Sequence, residues 1–349
     1  YLKYLGLSLL LFSSFLGMGQ TDVSGTISSN TTWGLSGSPY NIIGNTQISD
    51  NVTLVIEAGV RVVFNGDFYL KAFGELIAVG NSTDSIYFET NSPNEKIGKG
   101  IYIRSTSTAL FDSNYNYLSG SIFKFASFKN FARAVFFHEA GIAIEYCTFT
   151  ANSIAIEPRS NLQSRISNSS FYNNSYGLFT YSEDNSTGDG VGCVSNILIQ
   201  NNEFKNNSSG IYIGMNQRTV SDFKVSNNKF VENINAINIG GGGYGPYVGD
   251  NVELSNNIFQ SNSNSITADV YNLGYNGCSG SWHSNSELNI KKNYFLNDEN
   301  AVNLNGIGYS KVYKNIFDNN NRGVYIGTSS DIRNNNTIEE NQFYNLEKS

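Results

Sequence analysis

The chain has 349 residues, a formal net charge of -7 and a sequence pI near 5.0. With 22 Lys and Arg against 29 Asp and Glu, and no basic stripe, it lacks the charge that neutralises a phosphate backbone or holds a protein to an anionic membrane surface, which excludes nucleic-acid and polybasic membrane binding. Only 15% of residues are charged, while 34 Gly, 51 Asn and 13% aromatics describe short elements joined by many turns.

Leu2 to Leu16 is mostly apolar with Lys3 near its start, and Gly17-Met-Gly19-Gln20 follows. A basic start, a short apolar core and small residues before a cut site predict a secretory signal peptide over residues 1–19. The run is short for a membrane span, so no transmembrane segment is expected in the mature chain. No Cys follows it, which argues against a lipoprotein anchor. The first residue is Tyr rather than Met, so a few upstream residues are expected to be missing.

Residues 20–119 form an opening section. Thr53 to Phe64, Phe68 to Gly80, Ser85 to Thr90 and Gly98 to Ile103 read as strands with one buried face, separated by Gly or Asn turns. Ser105 to Asn116 reads as a polar loop leading to the next section.

From Gly120 onward one phrase recurs, clearest as Ile199-Gln-Asn-Asn-Glu-Phe204-Lys-Asn-Asn-Ser-Ser-Gly210-Ile211-Tyr-Ile213. Alignment on Phe gives nine copies, at Phe128, Phe149, Phe171, Phe204, Phe230, Phe259, Phe295, Phe317 and Phe343. An apolar residue lies five before each, such as Ile144, Ile199 and Leu254. A small residue lies six after the first eight, followed by an aliphatic one. Such short apolar-polar-apolar pieces predict strands; Asn and Gly break them too often for helices. Asn recurs two residues before Phe (Asn202, Asn228, Asn257) and three after it (Asn152, Asn174, Asn207). Asn tolerates the left-handed backbone of sharp turns, and stacked amides can bond one another as ladders.

A repeat near 22 residues with three short strands per turn is the pattern of a solenoid. The motif resembles the parallel β-helix repeats of pectate-lyase-like and of periplasmic or surface β-helix proteins, over roughly Gly120 to Leu346. The resemblance implies an all-β, right-handed parallel β-helix with residues 120–349 as its repeats. The opening section resembles that of secreted bacterial β-helix proteins, and implies a cover for the first coil, whose open edge would otherwise template aggregation. The last repeat stops abruptly by Ser349 without an amphipathic cap, so truncation at the carboxyl end is expected. The expected molecule is a monomer, secreted or at the cell surface, with the periplasm as the other compartment.

Coil length varies at one corner only. From nine residues past each Phe to the next apolar strand start, the gap ranges from 7 to 22 residues. The large insertions run from Tyr181 to Leu198, Gly214 to Lys224, Gly240 to Glu253 and Asp269 to Asn289. Insertions on one face of a repeat protein often form its binding face. They carry Tyr244, Tyr247, Tyr271, Tyr275 and Trp282, beside an outward strand column of Glu157, Phe179, Tyr212, Asn238, Thr267, Asn303 and Tyr325. Aromatics among amides and hydroxyls suit sugar rings, stacking on the apolar ring face while polar groups bond hydroxyls. Polysaccharide or a cell-surface glycan is therefore the expected partner, bound by Phe179, Tyr212, Tyr244, Tyr247, Tyr271, Tyr275 and Trp282. Any one of these aromatics could equally cover its own loop.

Catalytic signals are sparse. The clustered Asp of polygalacturonase-type β-helix hydrolases and the Arg-x-Pro-x-x-Arg signature of pectate lyases are both missing. Were a lyase or epimerase acting on uronate glycans built here, His283 would be its base among the His, with Arg218, Lys224 and Tyr275 as charge neutraliser and proton acceptor. A structural adhesin stalk is the third reading. No cofactor is expected, and calcium is the one metal to consider, at Glu183, Asp184 and Asp189, whose oxygens lie in a loop without EF-hand spacing. Cys147 takes a ladder position and should be a buried thiol. Cys193 and Cys278 lie three coils apart, about 14 Å at ~4.8 Å per coil, so only leaning loops could join them.

Overall fold

A computed structural model describes residues 19–91, 98–159, 162–182, 193–215, 219–240, 247–248, 251–269, 275–276, 281–282, 288–305, 310–327 and 336–345. The chain winds as a parallel β-helix whose coils each lay one short strand in each of three columns. The first column runs from Thr31–Trp33 through Thr53–Ile56, Glu75–Val79 and Ile122–Lys124 to Thr337–Glu339, every neighbour parallel. The second holds the Phe of each repeat, and the third holds the aliphatic strand after it. Tyr40–Ile48 spans both, pairing Tyr40 with Val62 in the second and Thr46 with Leu70 in the third.

The opening section obeys the same register as the repeats. Ile77 pairs with Ile122, Phe88 with Phe128 and Ile101 with Val135, so the ladder is unbroken across residue 120. The stretch read as a polar loop is more ordered than expected. It forms a 3-10 turn at Ser105–Ser107 and an antiparallel pair of Leu110–Phe111 with Tyr117–Ser119. It lies against the first column, where Arg165 donates to the Tyr115 carbonyl at 2.7 Å and Gln163 to that of Asp112 at 3.2 Å.

Ten Phe rings stack from Phe88 to Phe343, all buried except the exposed last one, with successive centroids 4.5 to 5.0 Å apart and planes within 8°. The coil spacing of about 4.8 Å sets that distance, and ring offset makes it attractive. The small column exists because it faces these rings. A Cβ on Gly177 would come within 2.9 Å of the Phe204 ring.

The Asn columns form ladders. Asn207 accepts from the Asn174 backbone N–H at 2.9 Å and its amide at 3.1 Å. Asn207 in turn donates to the Phe171 carbonyl at 3.0 Å and to Asn233 Oδ1 at 3.0 Å. The second ladder, Asn202 to Asn341, repeats this pattern. The left-handed turns belong to other residues. Positive φ falls three before and two after each Phe, at Asn201 (56°) and Asn206 (55°) for Phe204. Tyr146, Ala151, Glu232, Lys292 and Lys314 also take such positions. Each ladder Asn follows a turn residue directly, and its column is kept for hydrogen bonding, not for backbone tolerance.

Candidate functional site

The third column's outer face carries one side chain per coil at a fixed register. Lys71 pairs with Tyr102, Tyr102 with Phe136, and Phe136 with Glu157. Phe179 follows, pairing with Tyr212; then come Asn238, Thr267, Asn303 and Tyr325. This is the outward column read from the repeat, now extended two aromatics and one Lys toward the amino end. Strand alternation fixes it, since Leu178 and Thr180 on either side of Phe179 point inward and are buried.

Two aromatic groups lie along it, half-buried except for Phe136, which is 6% exposed. In the first, Phe179 and Tyr212 stack at 5.3 Å and 13°, with Tyr176 tilted against Phe179 at 4.6 Å. The Tyr212 ring leans over Gly214, where a Cβ would meet it at 2.1 Å, so a side chain there would displace the ring. In the second, Tyr102 lies between Tyr69 at 5.7 Å and Phe136 at 4.9 Å, tilted by 52° and 55°. Lys71 Nζ sits 4.6 Å over the Tyr69 ring, and the guanidiniums of Arg133 and Arg159 sit 5.1 and 5.6 Å from the Phe136 centroid.

Glu157 joins the two groups. It is 1% exposed, with Oε2 at 2.6 Å from Arg133 Nε and Oε1 at 2.9 Å from Arg159 Nε. Burial of this carboxylate on an outer face is possible only because two cations compensate its desolvation. The Arg133 contact is an ion pair without a directed hydrogen bond, whereas Arg159 donates one. Desolvation, and then the Arg104 charge, lower the Lys71 pKa below the usual lysine value.

Tyr102, Phe136, Arg133 and Arg159 were not among the residues singled out from sequence. The signal for them is present. Phe136 stands eight residues after Phe128, as Phe179 does after Phe171, and Gly100-Ile-Tyr-Ile103 repeats Gly210-Ile-Tyr-Ile213. Of the expected site residues, Phe179 and Tyr212 meet as above. Lys224 is exposed on the outer side of the first column, paired with Glu253, and so lies on a different face. The Tyr247–Val248 backbone adds a short strand beside Thr219 and Val220, and Tyr275 pairs antiparallel with Trp282. Tyr244, Tyr271, His283, Arg218, Glu183, Asp184, Asp189 and Cys278 lie outside the described residues. Among the described residues no cluster of three His, Cys, Asp or Glu could hold a metal ion, and no helix is long and apolar enough to cross a membrane. His138 is 5% exposed, with Nδ1 3.9 Å from Glu139. Cys147 is buried and its thiol is pushed up to about 12, chiefly by desolvation.

The chain is similar to several solved structures. The surface protein and adhesin PfbA of Streptococcus pneumoniae is 13% identical with a TM-score of 0.38, over 94% of this chain and 89% of its own. Endopolygalacturonase I of Stereum purpureum, solved with two galacturonates, is 12% identical with a TM-score of 0.41, over 91% and 100%. A tailspike variant of E. coli bacteriophage HK620, in complex with a pentasaccharide, is 11% identical with a TM-score of 0.40, over 93% and 72%. No curated protein matches the chain significantly. The profile described as right handed beta helix region matches residues 75–259, more than half of the chain, and the chain belongs to that family.

Proposed function

We propose that the chain binds polysaccharide along the outer face of its third column, outside the cell that makes it. One observation carries this reading. Aromatics occupy the outward register at Tyr102, Phe136, Phe179 and Tyr212, all half-buried except the buried Phe136, followed by Asn238, Thr267 and Asn303. Coils repeat at about 4.8 Å, close to the length of one sugar, so a glycan laid along the axis would set successive rings over successive coils. Aromatic edges and faces would pack on sugar C–H groups while amides and hydroxyls bond the sugar hydroxyls. The apolar segment Leu2 to Leu16 supports export.

The test is a Phe179→Ala/Tyr212→Ala double variant, measured by affinity electrophoresis against a panel of neutral and acidic polysaccharides. Both rings are outside the Phe stack, so the melting temperature should fall by only a few degrees while binding is lost. Retention of parental binding to every panel member would remove this face as the site. Loss of the fold would make these rings structural cover.

A further inference from the structure

The amino-terminal half of the same face carries a group of cations. Lys71, Arg104, Arg133 and Arg159 cluster there across consecutive coils. His138 pairs with Arg159 and Phe137 with Ile103, which puts Arg104, His138 and Arg159 in one column beside Tyr102, Phe136 and Glu157. Against these four cations stand, among the described residues, two carboxylates, Glu157 and the largely exposed Glu139. Lys99, five residues before Arg104, is paired with Asp67 at 3.4 Å. Among the described residues the patch thus holds a local charge near +2, on a chain of -7.

Its geometry leaves donors for a ligand. Glu157 meets both guanidiniums at Nε, and the Arg133 contact is not a directed hydrogen bond. Arg133 Nη1 makes only a long bond of 3.4 Å to the Tyr102 hydroxyl. Both Arg side chains are about one-third exposed, at 31% and 33%. Their guanidinium carbons lie 5.1 and 5.6 Å from the Phe136 centroid, and an aromatic plane under a guanidinium keeps its fork oriented at little entropic cost.

We infer that the outer face between Lys71 and Arg159 is a subsite for the ring-borne anionic group of an acidic polysaccharide, held by Arg133 and Arg159 over Phe136, with Lys71 and Arg104 flanking it. The inference rests on the proposed glycan-binding reading and adds the ligand's charge. A carboxylate and a sulfate ester share the required oxyanion. A planar carboxylate matches an Arg fork bidentately, while a sulfate presents a tetrahedral oxyanion to it.

The experiment compares full-chain binding to alginate (carboxylate), dextran sulfate (sulfate ester) and dextran (neutral) by affinity electrophoresis at two salt concentrations. Acidic polymers should bind more tightly than dextran and weaken with salt. Lys71→Gln and Arg104→Gln should each weaken acidic binding by about twofold to fivefold, the range of an exposed ion pair, and leave dextran binding unchanged. Glu157→Gln should tighten acidic binding by a similar factor, a sign that a purely structural role would not give. If Glu157→Gln does not fold, the two cation variants carry the test. Equal binding of dextran and both acidic polymers, untouched by these variants, overturns the anionic subsite but leaves the glycan-binding face standing. Failure of all three polymers, and of the wider panel, overturns both. Alginate and dextran sulfate are told apart by which responds to Arg133→Lys, which keeps the charge and removes the fork.

Discussion

Asp298 is the one acid in the Asn ladder, and replacing it with Asn should stabilise the protein in a pH-dependent way. Its Oδ1 acts as an Asn oxygen does, accepting from the Asn262 backbone N–H at 2.8 Å and side-chain amide at 3.1 Å. Its Oδ2 stands where other ladder residues have an N–H2 group donating to the preceding Phe carbonyl and to the next Asn Oδ1. Both neighbours are acceptors, and Oδ2 has no hydrogen-bond partner. Burial therefore pushes the carboxyl from its ordinary 3.8 up to about 7. An acid with a raised folded pKa stabilises the fold below its unfolded pKa and loses that stability as pH rises through the folded value. The window runs from about 4 to about 7, and at ~1.4 kcal/mol per pH unit the loss is about 4 kcal/mol. Asp298→Asn supplies the missing donors and does not titrate. Thermal melts of parent and variant from pH 4 to pH 9 should separate with rising pH and level off above pH ~8, with the variant higher. A gap that stays constant with pH, or a carboxyl carbon of Asp298 that titrates near 4 by NMR, would refute the argument.

Three further outcomes are expected. Phe230→Ala opens the ring stack between Phe204 and Phe259 and should cost about 3–5 kcal/mol in chemical denaturation. Ala151 holds φ at 57°, so Ala151→Gly should gain roughly 1 kcal/mol by the same assay. Cys147, buried and with its thiol near 12, should resist a thiol reagent at pH 8 in the native protein and react on denaturation, as read by mass mapping of its peptide.

Much of the fold could be read from one residue type at one spacing. The Phe alignment placed the buried ring stack, and the aliphatic residue seven positions on placed the third column. The turn chemistry was harder to read because ladder and turn positions are adjacent and both favour Asn. Only the backbone separates Asn206, at positive φ, from Asn207 in the ladder. The hairpin at Leu110–Phe111 and Tyr117–Ser119 was hidden since its anchors, such as Arg165 to Tyr115, lie far apart in sequence. The Glu157 ion pairs cross from coil to coil and leave no local pattern. In the insertions, aromatic content was visible, but the side-chain geometry of Tyr275 and Trp282 lies outside what is described.

The Asn ladders also give the molecule a direction. Backbone bonds in a parallel pair alternate, so Asn201 donates forward to Ser226 while Lys229 donates back to Asn202. The ladder side chains do not alternate. Every Oδ1 receives from the coil on its amino-terminal side, as Asn233 does from Asn207 and Asn262 from Asn233. Along the ladders the amide oxygens are therefore all aimed at the amino-terminal side, and the ladder edges of any coil are chemically different, one presenting Oδ1 acceptors and the other the N–H groups that bond the next Oδ1. A whole coil can be duplicated or deleted with both faces still matched, whereas a coil turned over would set oxygen against oxygen along both ladders. Growth and shrinkage of such a chain in evolution are thus confined to complete turns, all of one polarity.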